Sequence, residues 1–243
     1  RKIFNSLSFS LIGGIAGGYA VSSDLWFFLM PLSLAILWSG FDKNISNFFW
    51  GFSFILSSHF WLLYLHPLTW LGFSWTISIF ITTLIYFGCA MVGGFLIFLW
   101  GYVAQKLIYK KYIFSEKNID LVLKILLLCF IWSFSELILT QTPLFWIGIG
   151  DSLIPGDLFL AGLARWIGST GLCIVQLLIG FWIFCVFEKW KRNLKFRELF
   201  VWGIISLILL HLLGAFLILP KSSDNVYPIA IWQTNKPTRE KFL

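Results

Sequence analysis

The sequence predicts an all-α polytopic membrane protein, a bundle of seven transmembrane helices followed by a short tail of different character. Composition is the first reason: 59% of the 243 residues are hydrophobic, 20% aromatic and 12% charged, against about 25% charged in soluble chains. A soluble core could not absorb 27 Phe and 14 Trp, whereas a bilayer solvates them. The second is that apolar stretches fill the chain from residue 3 to residue 219 in runs that suit helices of about 20 residues. Backbone groups in hydrocarbon have no water to bond, so a span is a helix or part of a closed barrel; these runs lack period-2 alternation and read as helices. The third is charge placement: the basic residues fall almost entirely on alternate loops.

The expected spans are 3–21, 25–40, 48–66, 73–104, 121–140, 167–187 and 199–219. The first could imitate a secretory signal, with Arg1 and Lys2 ahead of an apolar run. Its Gly13-Gly14 and Gly17-Gly18 pairs favour helix packing and more spans follow, so it reads as a retained first helix. The 73–104 run exceeds a simple crossing and is expected to tilt or to extend beyond the membrane. Arg1 and Lys2, then Lys43, then Lys106, Lys110, Lys111, Lys117 and Lys124, then Lys189, Lys191, Arg192, Lys195 and Arg197 all fall on one side of this arrangement. Before Pro220 the other side has only Arg165. Positive-inside then places the N-terminus and the basic loops in the cytoplasm and the tail outside. The net charge of +7 is accounted for as topology signals and headgroup contacts, which excludes a nucleic-acid partner.

Two segments depart from the span pattern. Residues 141–166 are apolar, rich in Gly and Pro, too broken to span and too greasy to be a free loop; they either lie in or dip back through the outer interface, or anchor an aromatic belt. After residue 220 comes a polar linker, Lys221 to Asn225, and then Val226 to Gln233, which reads as a strand. One strand cannot fold alone, so either it pairs with something absent from the sequence or a further domain begins here.

Glu136 is the one acid deep within an expected span. A charged group at a helix centre costs about 2.5–3.5 kcal/mol on insertion scales, so it is expected to face protein or water. It is either a substrate or headgroup contact, or a hydrogen-bonded structural group; helical spacing places Trp132, Ser133 and Thr140 on its face. His59 and His66, with Trp61 and Tyr64 between them, fit an interfacial aromatic belt better than a catalytic or metal site. His211 is expected to make a packed polar contact. Arg165 is either a snorkelling anchor or a phosphate contact. Cys89, Cys129, Cys173 and Cys185 fall inside spans without metal spacing and read as small packing residues. No cofactor or metal site is expected.

Three blocks together resemble bacterial apolipoprotein N-acyltransferase. One runs from Gly51-Phe-Ser-Phe-Ile to Trp61-Leu-Leu-Tyr64. Another comprises Trp132-Ser-Phe-Ser-Glu136, Pro143-Leu-Phe-Trp146-Ile-Gly148, Leu160-Ala-Gly-Leu-Ala164 and Gly168 to Gly171. The last and most specific is Gln233-Thr-Asn235-Lys-Pro237 followed by Lys241-Phe242, similar to the stretch that opens the family's extracytoplasmic nitrilase-like α/β domain. Phe242 stands where the family has Trp.

The resemblance implies that residues 1–220 form the family's membrane bundle and that 221–243 begin its nitrilase-like domain, the rest of which is absent from this sequence. It implies an N-acyltransferase, an enzyme of lipoprotein biosynthesis in the bacterial inner membrane. A phospholipid would be the acyl donor, and the N-terminal diacylglyceryl-cysteine of a lipoprotein the acceptor. The family's Glu–Lys–Cys catalytic set lies beyond residue 243, so no catalytic residue is assigned and the chain alone is expected to be inactive. Trp61, Tyr64, Glu136, Trp146 and Phe242 are the expected lining of the lipid or lipoprotein path. The alternatives are a non-catalytic membrane anchor or a small transporter, the latter wanting more intramembrane polar groups than are present.

Overall fold

A computed structural model describes residues 2–108, 113, 119–142 and 147–218, with side chains from residue 7 onward. Its helices are α1 (Lys2–Ser22), α2 (Leu29–Gly40), α3 (Asn44–Ser58), α4 (Trp75–Leu107), α5 (Ile119–Leu139), α6 (Leu158–Ala161), α7 (Ala164–Lys191) and α8 (Arg197–Ile218), with 3-10 turns at Phe60–Leu65, Thr69–Leu71 and Ile149–Leu153. No strand occurs among the described residues. The expected strand at Val226–Gln233 lies outside them.

Among the described residues, four helices, α4, α5, α7 and α8, are long and apolar enough to cross a membrane. A helix lies within or over each of the seven expected stretches, but two of those stretches are trimmed. The 25–40 stretch is helical only from Leu29, 12 residues or about 18 Å, short of the roughly 30 Å of hydrocarbon. The 48–66 stretch is α-helical only to Ser58. There the Ser57 hydroxyl bonds back to Ser53 O at 2.7 Å, His59 leaves helical geometry, and the chain tightens into Phe60–Leu65. Serine hydroxyls that return to their own backbone compete with helix continuation. At 33 residues, α4 is about 50 Å long.

Small residues let the first helices approach closely. A methyl group at Gly14 would collide with Trp50 O and the Ser53 hydroxyl, and one at Gly18 with Ser57 and Phe54 O, all on α3. Gly13 and Gly17 face Ile36 and Ser33 of α2 in the same way. The close approach is sealed by hydroxyl-to-backbone bonds across helices, Ser33 Oγ to Gly13 O and Ser53 Oγ to Leu11 O. In a bilayer, where apolar side chains gain little by leaving lipid, this close small-residue packing and interhelical hydrogen bonding drive association. The same device joins α3 to α4, where Gly51 lies against Gly93 O.

Four tryptophans meet at the centre, one each from α2, α3, α4 and α5. Trp38 and Trp100 are 5.1 Å apart edge to face, Trp100 and Trp132 5.2 Å, and Trp50 and Trp132 6.2 Å. All four are at most 5% exposed, so each indole N–H needs an acceptor. Three use main-chain carbonyls: Trp38 to Leu177 O, Trp50 to Ser33 O and Trp100 to Leu128 O. The fourth, Trp132, uses a side chain, Glu136.

The apolar segment before α7 turns inward. Ile149 is fully buried, and Ser152 sits beside Gln176, well along α7, whose Nε2 donates to its hydroxyl at 3.2 Å. Gly150 abuts Ser169 O and Cys173 N of α7, and Gly156 abuts Phe27 between α1 and α2. Of the two readings of 141–166, the described part thus dips into the bundle. Gly168, with φ +67 inside α7, turns the chain from that segment into the long helix; that left-handed value suits glycine.

Candidate functional site: the α4–α5 groove and Glu136

Between α4 and α5 lies a cavity of about 190 Å³, lined by Leu96, Leu99, Val103, Ile131 and Leu139 and ending at Trp132, Ser135 and Glu136. The Ser135 hydroxyl is turned back on Ile131 O at 2.7 Å, so Glu136 supplies the polar character of the groove. The groove is hydrocarbon along its length with one carboxyl at the end where α5 finishes. An alkyl chain fits such a lining by burial of apolar area alone.

Glu136 is 4% exposed. Its Oε1 accepts from the Trp132 indole at 2.9 Å and from the backbone N–H of Ile149 at 3.2 Å. Its Oε2 faces Gly148, where a side chain would come within 3.4 Å of it. Asp151 Oδ2 approaches the same point, at 3.2 Å. Two carboxyl groups therefore converge on a glycine that presents no side chain to separate them. Desolvation raises the Asp151 carboxyl above its ordinary range, against the Gly148 backbone N–H bond, which lowers it. On its other side Glu136 adjoins Cys173 of α7, and Ser133, one turn back, donates to Thr170 O at 2.5 Å.

Of the residues read from sequence as a substrate path, Glu136 lines the groove, while Trp61 and Tyr64 stand outside its lining, in the 3-10 segment after α3. Trp61 stacks on His59 at 6.3 Å and is 42% exposed; Tyr64 meets Phe60 at 6.1 Å and is 69% exposed. Trp146 and Phe242 lie outside the described residues. His66 bonds Ser78 at 2.7 Å and packs edge-on to Trp75. Among the described residues no three His, Cys, Asp or Glu side chains gather as a metal site would need.

Two polar residues have roles the sequence did not specify. Arg165 donates from Nη1 to Leu217 O at 2.8 Å, capping the carbonyl end of α8. His211, expected only to make some packed contact, pairs through Nε2 with Asp157 Oδ2 at 2.9 Å. Fifty-four residues separate that pair, and no periodicity links residues so far apart. The central indole cluster was likewise missed, because Trp in a membrane chain reads first as an interfacial residue.

No family model matches the chain. A protein of Prochlorococcus marinus subsp. pastoris named apolipoprotein N-acyltransferase is 55% identical over 241 residues, 99% of this chain and 48% of that protein. The proteins of that name from Prochlorococcus marinus strain SARG and from Parasynechococcus marenigrum are 40% and 35% identical, over 95% and 96% of this chain and 46% and 47% of their own lengths. The chain is a relative of the apolipoprotein N-acyltransferases. It spans about half the length of the curated relatives it matches. The similarity to the N-acyltransferases reaches across the groove, Glu136 and the inward-turning segment, since it covers nearly the whole chain. That reach agrees with the resemblance carried by the sequence blocks around Trp61, Glu136 and Gln233.

Proposed function

We propose that this chain is the membrane part of an apolipoprotein N-acyltransferase, which moves an acyl chain from a phospholipid to the N-terminal diacylglyceryl-cysteine of a lipoprotein. The observation that carries the reading is 55% identity over 99% of the chain to a protein of that name. The α4–α5 groove supports it physically: it is an apolar slot with a single buried carboxyl, shaped to hold a lipid chain rather than a polar solute. In this reading all seven expected stretches are embedded in the bacterial inner membrane with the N-terminus cytoplasmic, α2 and α3 being carried by their packing on longer helices. Residues 221–243 open the extracytoplasmic nitrilase-like domain. Glu136 lines the lipid path, with Trp61, Tyr64, Trp146 and Phe242 placed along it.

The 243 residues do not supply the nucleophile themselves. Acyl transfer through a thioester needs an accessible thiolate beside a base and a cation. Cys129, Cys173 and Cys185 are buried and Cys89 half-buried, all inside helices.

The test is a pair of complementation assays in a bacterial strain depleted of its own enzyme. This chain alone should leave lipoproteins diacylated. The chain fused to the remaining half of the Prochlorococcus marinus subsp. pastoris relative should restore the triacylated form, read by mass spectrometry of the lipoprotein N-terminus. Failure of an expressed, membrane-inserted fusion to restore it would overturn the reading, as would restoration by the chain alone.

A further inference from the structure

The α4–α5 groove has a closed end opposite Glu136. Trp100, near the end of α4, donates to Leu128 O, near the start of α5, at 3.1 Å. The two helices therefore form a hairpin, and residue numbers fall along one wall as they rise along the other. The lining runs from Leu96, Glu136 and Leu139 at the mouth to Val103 and Ile131 at the inner end. Beyond Ile131 the slot is shut. The Trp100–Leu128 bond pins α4 to α5 about one turn further in, and both residues are buried. Trp132 packs edge to face on Trp100 at 5.2 Å and stiffens that closure.

From Leu139 to Ile131 the slot follows α5 for about 12 Å. A chain that reaches the middle of the bilayer needs about 15 Å, half of the hydrocarbon thickness. The inner end is therefore reached before such a chain is fully housed, and the position of the floor decides which length fits. Trp100 is committed to its hydrogen bond. Val103 is not so constrained: it is apolar, half-buried, and packed on the edge of the core. We propose that Val103 determines the length of the acyl chain taken from the phospholipid donor, by forming with Ile131 the floor that meets the chain's terminal methyl. A longer chain must bend aside past Leu99, which faces lipid, or lift its ester away from the mouth. The occupant rests on the transferase reading, which is deepened here from a phospholipid to one with a chain of limited length.

Two measurements keep the floor and the transferase reading apart. In the first, the full 243-residue chain is placed in phosphatidylglycerol vesicles doped with the same lipid carrying a photoreactive diazirine at the end of one acyl chain. Adducts are mapped by peptide mass spectrometry. Ile131, half-buried in the slot, should be labelled more than Leu127, which faces lipid one turn away, and Val103→Phe should remove that excess. In the second, the fusion with the remaining half of the Prochlorococcus marinus subsp. pastoris relative receives an equimolar mixture of phosphatidylglycerols that differ only in acyl chain length. The chains transferred are read by mass spectrometry of the lipoprotein N-terminus. Val103→Ala should favour longer chains and Val103→Phe shorter ones, each changing the long-to-short ratio by about tenfold. Val92→Phe, on the lipid-facing side of α4, should change nothing. Loss of stability does not produce opposite shifts from one position. An active fusion whose transferred mixture is the same in both Val103 variants overturns the proposal and leaves the transferase reading standing. A membrane-inserted fusion that transfers nothing overturns the transferase reading, and labelling then decides the floor alone. No excess at Ile131, or an excess that persists in Val103→Phe, overturns the proposal.

Discussion

The backbone N–H of Ile149 donates to Glu136 Oε1 at 3.2 Å, so the carboxyl that ends the groove also holds the inward-turning segment against α5. The same oxygen takes the Trp132 indole. Glu136→Gln keeps an acceptor oxygen and should cost under about 1 kcal/mol, whereas Glu136→Leu leaves two buried donors unmet and should cost about 2–4 kcal/mol. Denaturant unfolding in micelles measures both. In a fusion with the remaining half of the Prochlorococcus marinus subsp. pastoris relative, and on the proposed function, a carboxyl that touches lipid would lose activity even as Gln while its melting temperature holds. A carboxyl that only holds the segment would lose activity only as Leu.

How far the sequence reached is visible in Glu136 itself. Its cost in hydrocarbon marked it as facing protein or water, and its i−4 relation to Trp132 was legible from helical spacing. The donor from Ile149 was not legible, because that bond depends on a segment with no period folding back into the bundle. The helix positions were clear from apolar runs, since bilayer thickness and backbone hydrogen bonding leave few choices. The end of α3 was not, because local serine-to-backbone bonds there override hydropathy. Trp61 and Tyr64 were grouped with Glu136 by resemblance, and they stand apart from its groove because a 3-10 segment carries them past the end of α3.

The pair His211–Asp157 tethers α8, the least buried of the four long apolar helices. Asp157 has a second task, accepting from Leu160 N at 3.0 Å as the cap of α6. Asp157→Asn preserves the cap, since Asn caps helices well, and isolates the tether. Asp157→Ala removes both and should be the more destabilising. A double-mutant cycle of His211→Ala with Asp157→Asn should show non-additivity of about 0.5–3 kcal/mol. Hydrogen exchange should show α8 opening in each single variant while α1 and α3 stay protected.

Gly214 and Gly88 should respond oppositely to the same change. A methyl at Gly214 would strike the Phe159 carbonyl, and Gly162 across from it sits against Gly214 O, so the two glycines set the distance between α6 and α8. Gly88 has nothing within 4 Å of such a methyl. Gly214→Ala should therefore lower the melting temperature and loosen α8, by the overpacking cost of about 1–3 kcal/mol. Gly88→Ala should leave stability unchanged or raise it by up to about 1 kcal/mol, the helix-propensity difference. Equal gains at both would mean that helix propensity, not the α6–α8 contact, governs these sites.

The groove between α4 and α5 can be closed without touching its carboxyl. Leu99 lines it and is 42% exposed, so a larger side chain there meets lipid on one side and the slot on the other. Leu99→Trp should occupy much of a cavity of about 190 Å³ while leaving Glu136, Trp132 and Ile149 bonded as before, and thermal stability should change by less than about 1 kcal/mol. In the fusion that carries the remaining half of the relative, the proposed function places the consequence on the lipid donor. Turnover with long-chain phospholipid should drop at least about tenfold, and a donor with a short acyl chain should recover part of it. If activity with long-chain donors is untouched, the acyl chain does not enter between α4 and α5, and the groove is a packing defect open to bulk lipid.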